Sequence, residues 1–413
     1  MLTGANSDFA KSLNRRVALE SILRNGPISR TDIAEQTRLT PQTVSNIVAE
    51  LMPFGIIIER NIHTGKKGKP AREFLVDYDG FASIGLHIDQ HRIIGSLANG
   101  KGDVLAEVRH ELSEQRPDDV KDLANTLISQ LCADQSSIRQ KLIGVGVAMP
   151  GLFREKRFFS GSALTMQEWD DYPVADDFSA AFGLPVFVEN DGTAAAIGEN
   201  LFGDARNLSS FLYFYFGLGL GGCVFVEGKP VSGANSRTGE FGHILVEPGG
   251  RSCPCGAAGC LERYVSRLAA FQAITGSSEE FTSVPMGELA AAYERKDPLI
   301  RDWLETAATY LATAVRSVTH TMDPQKVFFG GQLPHDLLAE VVVKTEAELD
   351  RVKPTRGHIP MPDLQMASGD VARGAAALPL SVLINPPQNH QHTGIGYVRP
   401  KEENSLYNLL TGA

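Results

Sequence analysis

One stretch, residues 233–264, reading GANSRTGEFGHILVEPGGRSCPCGAAGCLERY, restricts the fold more tightly than any other. It gathers His243, Cys253, Cys255 and Cys260 within a short span. The C-x-C-x4-C spacing, with Gly256 and Gly259 in the turn, lets three thiols converge from a few residues of backbone. One imidazole and three thiolates form the ligand set of a closed structural zinc site, with no coordination position left for a substrate. The competing reading is a redox pair, because neighbouring cysteines can oxidise, and a reducing compartment disfavours it. Five cysteines are too few for a disulfide scaffold in 413 residues, and Cys132 and Cys223 read as buried thiols.

The N-terminal end has a different character. Residues 1–76 carry 11 Lys or Arg against 7 Asp or Glu, whereas the remainder carries 28 against 42. A basic front end on an acidic body suits contact with a polyanion at that end alone. Val17, Leu19, Ile22 and Leu23 predict a first helix, stopped by Asn25-Gly26-Pro27. Ser29 followed by Asp32 has the form of a capping box and predicts a short second helix to about Thr37. After a turn at Arg38-Leu39, Thr40 as cap and Pro41 at the first position open a third helix. Its core stripe is Val44, Ile47, Val48 and Leu51, so Gln42, Asn46 and Ala49 face outward, flanked by Thr43 and Ser45. Gln and Asn on such a face are suited to adenine in the major groove, which makes this a recognition helix for double-stranded DNA. Two strands around Ile56–Ile58 and Glu73–Val76 flank a basic loop with Lys66, Lys67 and Lys69. With Arg72, these residues read as a phosphate-contacting wing. The alternative is a three-helix interaction module with a solvated charged loop.

The body reads as α/β. A hairpin spans 83–97 and turns at Asn99-Gly100-Lys101-Gly102 into a further strand. Buried strands follow at 141–148 and 184–189, the second ending in Asn190-Asp191. Polar groups at strand ends line α/β clefts, although Asp191 read alone is a helix N-cap. A strand at 210–216 leads into Gly217-Leu218-Gly219-Leu220-Gly221-Gly222, either a plain hairpin turn or a backbone nest for an anion. A helix at 302–321 and a glycine-rich stretch at 369–377 are expected to complete a second lobe and return the chain to the first. No apolar run reaches the roughly 18 to 20 residues of a membrane span. The N-terminal residues also lack the apolar core of a signal peptide, so a soluble, cytoplasmic protein is expected.

In order and spacing, Glu189-Asn190-Asp191, the GEFGH motif and C-x-C-G-x-x-G-C-x-E resemble the ROK family of repressors, open reading frames and sugar kinases. The front end resembles the winged helix of the family's repressors, with Gly68-Lys69-Pro70 where Gly-Arg-Pro is usual. The resemblance implies a winged helix-turn-helix followed by a two-lobed actin-like, RNase H-like ATPase fold. The expected divisions are 1–78 for the reading head, 79–190 for the first lobe, 191–384 for the second lobe with the zinc site and chain return, and 385–413 for a polar tail. It also implies a sugar held by Asn190, Asp191, Glu240, His243 and Glu262, in a pocket shaped by Gly233, Ala234 and Asn235. A homodimer or homotetramer is implied, and control by a protein partner is a further possibility the family offers.

In the family's kinases Asp191 would be the general base, but that role needs ATP. The family's phosphate loop reads Asp-x-Gly-Gly-Thr. Here the stretch is His87-Ile88-Asp89-Gln90-His91, and every defining position differs. Leu218 likewise replaces a usual Thr, while Gly330-Gly331 resembles the adenosine-side motif. The expectation is a sugar-responsive transcriptional regulator with no catalytic residue; an active sugar kinase and a non-catalytic scaffold are the alternatives. Ser236-Arg237-Thr238 stands where small residues are usual, so Arg237 either reads an acidic or phosphorylated sugar or faces solvent. His390 and His392, in the tail, read as solvated rather than metal-binding.

Overall fold

The computed structural model describes residues 7–62, 71–113, 115–133, 137–154, 157–159, 166–277, 284–351, 361–384, 396–397, 406 and 410. Lys66, Lys67 and Lys69 of the expected wing, and His390 and His392, lie outside the described residues.

The front end folds around three helices, Ser7–Asn25, Arg30–Thr37 and Pro41–Leu51, with an antiparallel sheet ordered Ile28–Ser29, Ala71–Val76, Ile57–Ile62. Local chemistry sets the boundaries. Ser29 and Asp32 form the reciprocal capping box, the Asp32 N–H donating to Ser29 Oγ at 3.2 Å. Arg38, left-handed at φ 58°, ends that helix, and Thr40 caps the next by accepting from the Thr43 N–H at 3.1 Å. Val44, Ile47, Val48 and Leu51 are buried as the stripe requires. The first helix begins at Ser7, ten residues before the apolar signal at Val17, because only its second half carries core residues such as Ala18, Leu19 and Ile22.

Two sheets build the body. The first has the order Gly396–Tyr397, Val186–Asn190, Leu142–Met149, Ala82–Ile88, Arg92–Asn99, Val104–Glu111. The helices Pro117–Leu131 and Val174–Phe182 bury Val120, Leu127 and Phe178 against one face. The second sheet has the order Lys229–Pro230, Leu220–Val226, Phe211–Phe216, Lys326–Gly331, Leu364–Met366, covered on one side by Pro298–Met322 and His335–Asp350. Helices Asp191–Phe202 and Val371–Ile384 pack together between the sheets, sharing a core with Phe187 of the first and Phe211, Tyr213 and Phe328 of the second. Close approach requires glycine here. A Cβ at Gly85 would lie 1.9 Å from the Ala372 carbonyl, and one at Gly146 would lie 1.8 Å from that of Ala375.

The C-terminal segment corrects an expectation. Far from being a solvated polar tail throughout, it supplies the edge strand Gly396–Tyr397, with Tyr397 opposite Phe187, and buries Leu406 and Leu410. Leu406, Leu409 and Leu410 stand at i, i+3 and i+4, a short apolar spacing that the reading of the tail as polar passed over.

Candidate functional site

The strand Val186–Asn190 runs directly into the helix Asp191–Phe202, and this junction builds the pocket. Asn190 is the helix cap: its Oδ1 accepts from the Gly192 and Thr193 N–H groups at 2.9 and 3.4 Å, and its Nδ2 donates to the Gly151 carbonyl at 2.9 Å. The capping role read for Asp191 therefore belongs to Asn190, leaving Asp191 at the first helical position and 8% exposed. Burial pushes the Asp191 carboxyl up to about 7; the Gly192 N–H opposes this, while Asp89 and Glu240 add to it. Next to it Glu189 is also buried, accepting from the Asn190 N–H at 2.8 Å, and burial raises its carboxyl to about 8.

Asn190, Glu189 and Thr193 form one wall of a cavity closed by Phe153, Ser232 and Glu240. Of the residues expected around a sugar, Asn190 and Glu240 lie on this wall. Asp191 sits behind it at the helix start, and Gly233, Ala234 and Asn235 form an exposed turn at its rim. His243 and Glu262 reach the cavity through Glu240, His243 Nε2 lying 3.5 Å from Glu240 Oε2. Ser236 and Thr238 line the wall, whereas Arg237 is exposed. Sequence reasoning missed Glu189, Thr193, Ser232 and Phe153 as wall residues. The strand-to-helix junction was the available signal, since it aims residues on both sides of Asn190 at one cleft.

His243, Cys253, Cys255 and Cys260 converge, their ligand atoms all within 4.8 Å of one another. His243 Nδ1 lies 3.7 Å from Cys253 Sγ, and Cys255 Sγ lies 3.6 Å from Cys260 Sγ. A tetrahedral ion with bonds of about 2.3 Å to sulfur needs edges of about 3.8 Å, so the cluster fits a four-coordinate metal. Glu262 ties it to the glycine turn: Cys253 Sγ donates to its Oε1 at 3.1 Å, and its Oε2 would lie 2.8 Å from a Cβ at Gly219.

At the position of the expected phosphate loop the structure holds an internal network. Asp89 accepts from the His91 and Arg92 N–H groups at 2.9 and 3.1 Å, pairs with Arg92 Nε at 3.0 Å, and accepts from Gln332 Nε2 at 3.3 Å. Gln332 follows Gly330-Gly331 in the second sheet, and its Oε1 accepts from Arg267 at 2.6 Å. The Asp89–Gln332 bond thus joins the C-terminal ends of an interior strand of each sheet, Ala82–Ile88 and Lys326–Gly331. Burial alone would raise the Asp89 carboxyl, but His87 in the acid range where it is protonated, the His91 N–H and Arg92 together hold it below its ordinary range. Burial pushes the His87 imidazole down to about 4.

On the third helix Gln42, Asn46 and Ala49 are exposed, and Gln42 Nε2 donates to Asn46 Oδ1 at 3.0 Å. Thr43 and Ser45 are engaged locally, with Thr40 Oγ1 at 2.8 Å and the Pro41 carbonyl at 2.9 Å. Arg72, exposed on the wing strand, pairs with Glu59 at 2.8 Å.

A winged helix-turn-helix joined to two α/β layers around a polar, carboxyl-rich pocket defines the class: a DNA-binding module on a two-lobed, actin-like body. The ROK family model matches residues 83–381, and the chain belongs to that family. A winged helix-turn-helix DNA-binding model matches residues 12–57. The chain is 26% identical over 386 residues to the xylose repressor of Bacillus spizizenii, covering 92% of this chain and 97% of that one. It is 25% identical over 390 residues to the N-acetylglucosamine repressor of Escherichia coli O157:H7, covering 92% and 95%. Among solved structures, a ROK family transcriptional regulator, homologue of the E. coli MLC protein, superposes with TM-score 0.74 at 24% identity, over 91% of this chain and 97% of that one. The ROK hexokinase of Thermus thermophilus superposes with TM-score 0.58 at 25% identity, over 73% and 99%. These likenesses carry the fold.

Proposed function

We propose that this chain is a sugar-responsive DNA-binding transcriptional regulator, a repressor of carbohydrate uptake or catabolism genes, whose ROK domain binds a sugar or sugar derivative without phosphorylating it. The observation that carries the second half is the Asp89 network. A phosphate loop needs backbone N–H groups free to approach oxygen anions. Here the His91 and Arg92 N–H groups already donate to Asp89, a carboxylate held ionised where phosphates would sit, and a neutral His87 lends no positive charge. The first half draws on the reading head, and on repressors of xylose and N-acetylglucosamine that align along nearly the whole chain.

In this reading Asn190, Asp191, Glu240, His243 and Glu262 hold the sugar, with Gly233, Ala234 and Asn235 at its rim. Carboxyls and amides offer the paired donors and acceptors that adjacent hydroxyls require. His243, Cys253, Cys255 and Cys260 hold a structural zinc ion, which would fix the loop carrying His243 and Glu262 behind Glu240. Gln42 and Asn46 contact bases, while Lys66, Lys67, Lys69 and Arg72 contact phosphate. A homodimer matches the two-fold symmetry of helix-turn-helix operators. Effector binding changes operator affinity because the sugar binds two lobe arrangements unequally.

A second reading, an ATP-dependent sugar kinase, draws on Asp191, whose carboxyl titrates near 7 at the pocket's edge as a general base would. Calorimetry with sugars, amino sugars, sugar acids and sugar phosphates, each with and without ATP and magnesium, separates the two. Binding without nucleotide and without phosphorylated product supports the regulator; ATP-dependent turnover overturns it.

A further inference from the structure

The chain leaving the pocket helix meets the reading head four residues beyond the helix end. Asp191–Phe202 has 12 residues, about 18 Å of helix. Its cap Asn190 and its first-turn Thr193 line the cavity, the cap accepting from the Thr193 N–H. At its far end the chain passes Gly203 to Arg206, whose carbonyl accepts from Arg24 Nη1 at 2.9 Å. Arg24 lies in the last turn of Ser7–Asn25, the first helix of the DNA-binding module.

This helix does not float between its two ends. Gly198 and Gly374 put its backbone in contact with Val371–Ile384: a Cβ at Gly198 would lie 2.6 Å from Gly374 Cα, and one at Gly374 would lie 2.5 Å from the Ala194 carbonyl. Backbones so close have no compressible side chains between them, so the pair moves as one body. Val371–Ile384 itself also touches the first helix of the reading head.

A second connection ends at the same place. Arg373 donates from Nη2 to the Phe202 carbonyl at 3.0 Å and from Nε to the Gly102 carbonyl at 2.7 Å, clamping the helix end to the hairpin turn. In that turn the Gly100 N–H donates to the Tyr78 carbonyl at 2.8 Å, and the Asp77 N–H donates to the Ile56 carbonyl at 3.0 Å. The linker is therefore fastened to the wing on one side and to the clamped hairpin on the other. Both of these hydrogen-bonded connections start at the C-terminal end of the pocket helix, beside the direct contact of Val371–Ile384 with the first helix.

We infer that Asp191–Phe202, locked to Val371–Ile384, is the rod that couples pocket occupancy to the reading head, with Arg24 as its contact on the DNA-binding side. The inference rests on the sugar-responsive reading above. A ligand that draws Asn190 and Glu240 together displaces the N-terminal end of a stiff body, and the Arg206 carbonyl at its other end carries Arg24 with it. Arg24 is a positioning residue; it touches neither cavity nor recognition face.

The test uses the full-length protein, a DNA fragment that it selects from a random library, and xylose and N-acetylglucosamine as probes. Sugar affinity, DNA affinity and the sugar-dependent ratio of DNA affinities are measured for the unmodified protein, Arg24→Ala and Arg24→Lys. Glu20→Ala, which removes the other partner of Arg24 at 2.9 Å, and Arg15→Ala, which breaks the Arg15–Glu50 pair inside the head, serve as controls. Couplings of this kind change affinity roughly 5- to 150-fold. The expected result is a ratio cut by about a factor of three or more in Arg24→Ala, with sugar affinity and sugar-free DNA affinity retained. Arg24→Lys, which keeps a donor for the carbonyl, restores much of the ratio, and both controls keep it. An unchanged ratio in Arg24→Ala overturns the rod while leaving the sugar-responsive reading intact. If neither sugar shifts the unmodified protein, that reading fails and the inference falls with it. Should Arg24→Ala fold poorly by circular dichroism, Arg24→Met, which keeps side-chain length but has no donor for the carbonyl, carries the same comparison.

Discussion

Glu189 sets a pH dependence that can be worked out from its surroundings. It is 5% exposed, and burial raises its carboxyl from an ordinary value of 4.5 to about 8, opposed only in part by the Asn190 N–H. Between those values the folded protein holds a proton that the unfolded chain has released. Stability therefore falls as pH rises through that window, by about 1.4 kcal/mol per unit. Glu189→Gln keeps an oxygen able to accept from Asn190 but has no proton to lose. From pH 5.5 to 7.5 the substituted protein should gain about 3 kcal/mol relative to the unmodified one. Asp191, pushed up to about 7, titrates in the same window, but it is present in both proteins and cancels in the difference. Urea denaturation at pH 5.5, 6.5 and 7.5 reads the effect as midpoints that diverge with pH. Parallel curves for the two proteins would refute the reasoning, because they would mean that Glu189 is ionised in the folded state despite its burial.

Cys260→Ser should abolish stoichiometric zinc in elemental analysis and lower the melting temperature, and chelation should do the same to the unmodified protein. Asp191→Asn and Glu240→Gln should each weaken calorimetric sugar affinity by about ten-fold or more, since a carboxylate on the wall, or at the helix start behind it, loses a charge-assisted hydrogen bond worth roughly 1.5 to 3 kcal/mol; unaltered affinity in both would displace the pocket. Gln42→Ala and Asn46→Ala should each cost roughly 1 to 3 kcal/mol on a selected DNA site. Because the two side chains are bonded at 3.0 Å, the double substitution should cost less than the sum, which gel-shift titrations of all four proteins would measure.

Where chemistry is local, the sequence is legible. Ser29, Thr40 and Pro41 mark their helix starts because a cap acts within three residues, and the Val44–Leu51 stripe encodes its own buried face. The convergence of His243, Cys253, Cys255 and Cys260 was equally readable, since three of the four lie within eight residues of chain. What escaped reading depends on partners distant in the chain. Glu189 gains its role from burial between layers, and Gly198 is meaningful only opposite Gly374. The strand Gly396–Tyr397 exists only because Val186–Asn190 has a free edge to pair with. Asp89 could be read as hostile to phosphate, but nothing local announced Gln332, 243 positions later, as its partner.

The strength of that Asp89–Gln332 contact bears on whether the two lobes can rearrange. Asp89 and Arg267 have opposite charges and face the same cleft, so a direct ion pair between them would clamp it, and removing either partner of a buried pair costs about 3 to 5 kcal/mol. The amide of Gln332 stands between them instead, donating to Asp89 at a long 3.3 Å and accepting from Arg267 at 2.6 Å. The long side of this relay is the one that crosses between the sheets, so separation there gives up the weaker bond and keeps the stronger one within the second lobe. A hydrogen bond to a charged group contributes about 1.5 to 3 kcal/mol net, and one stretched to 3.3 Å lies toward the low end. A ligand shifts an equilibrium only by its differential affinity for the two states, and moving a population from 1:99 to 99:1 takes about 5.5 kcal/mol. A crossing bond this weak leaves the closure within reach of a few sugar hydroxyls bound at Asn190 and Glu240, whereas an ion pair in its place would consume most of that differential.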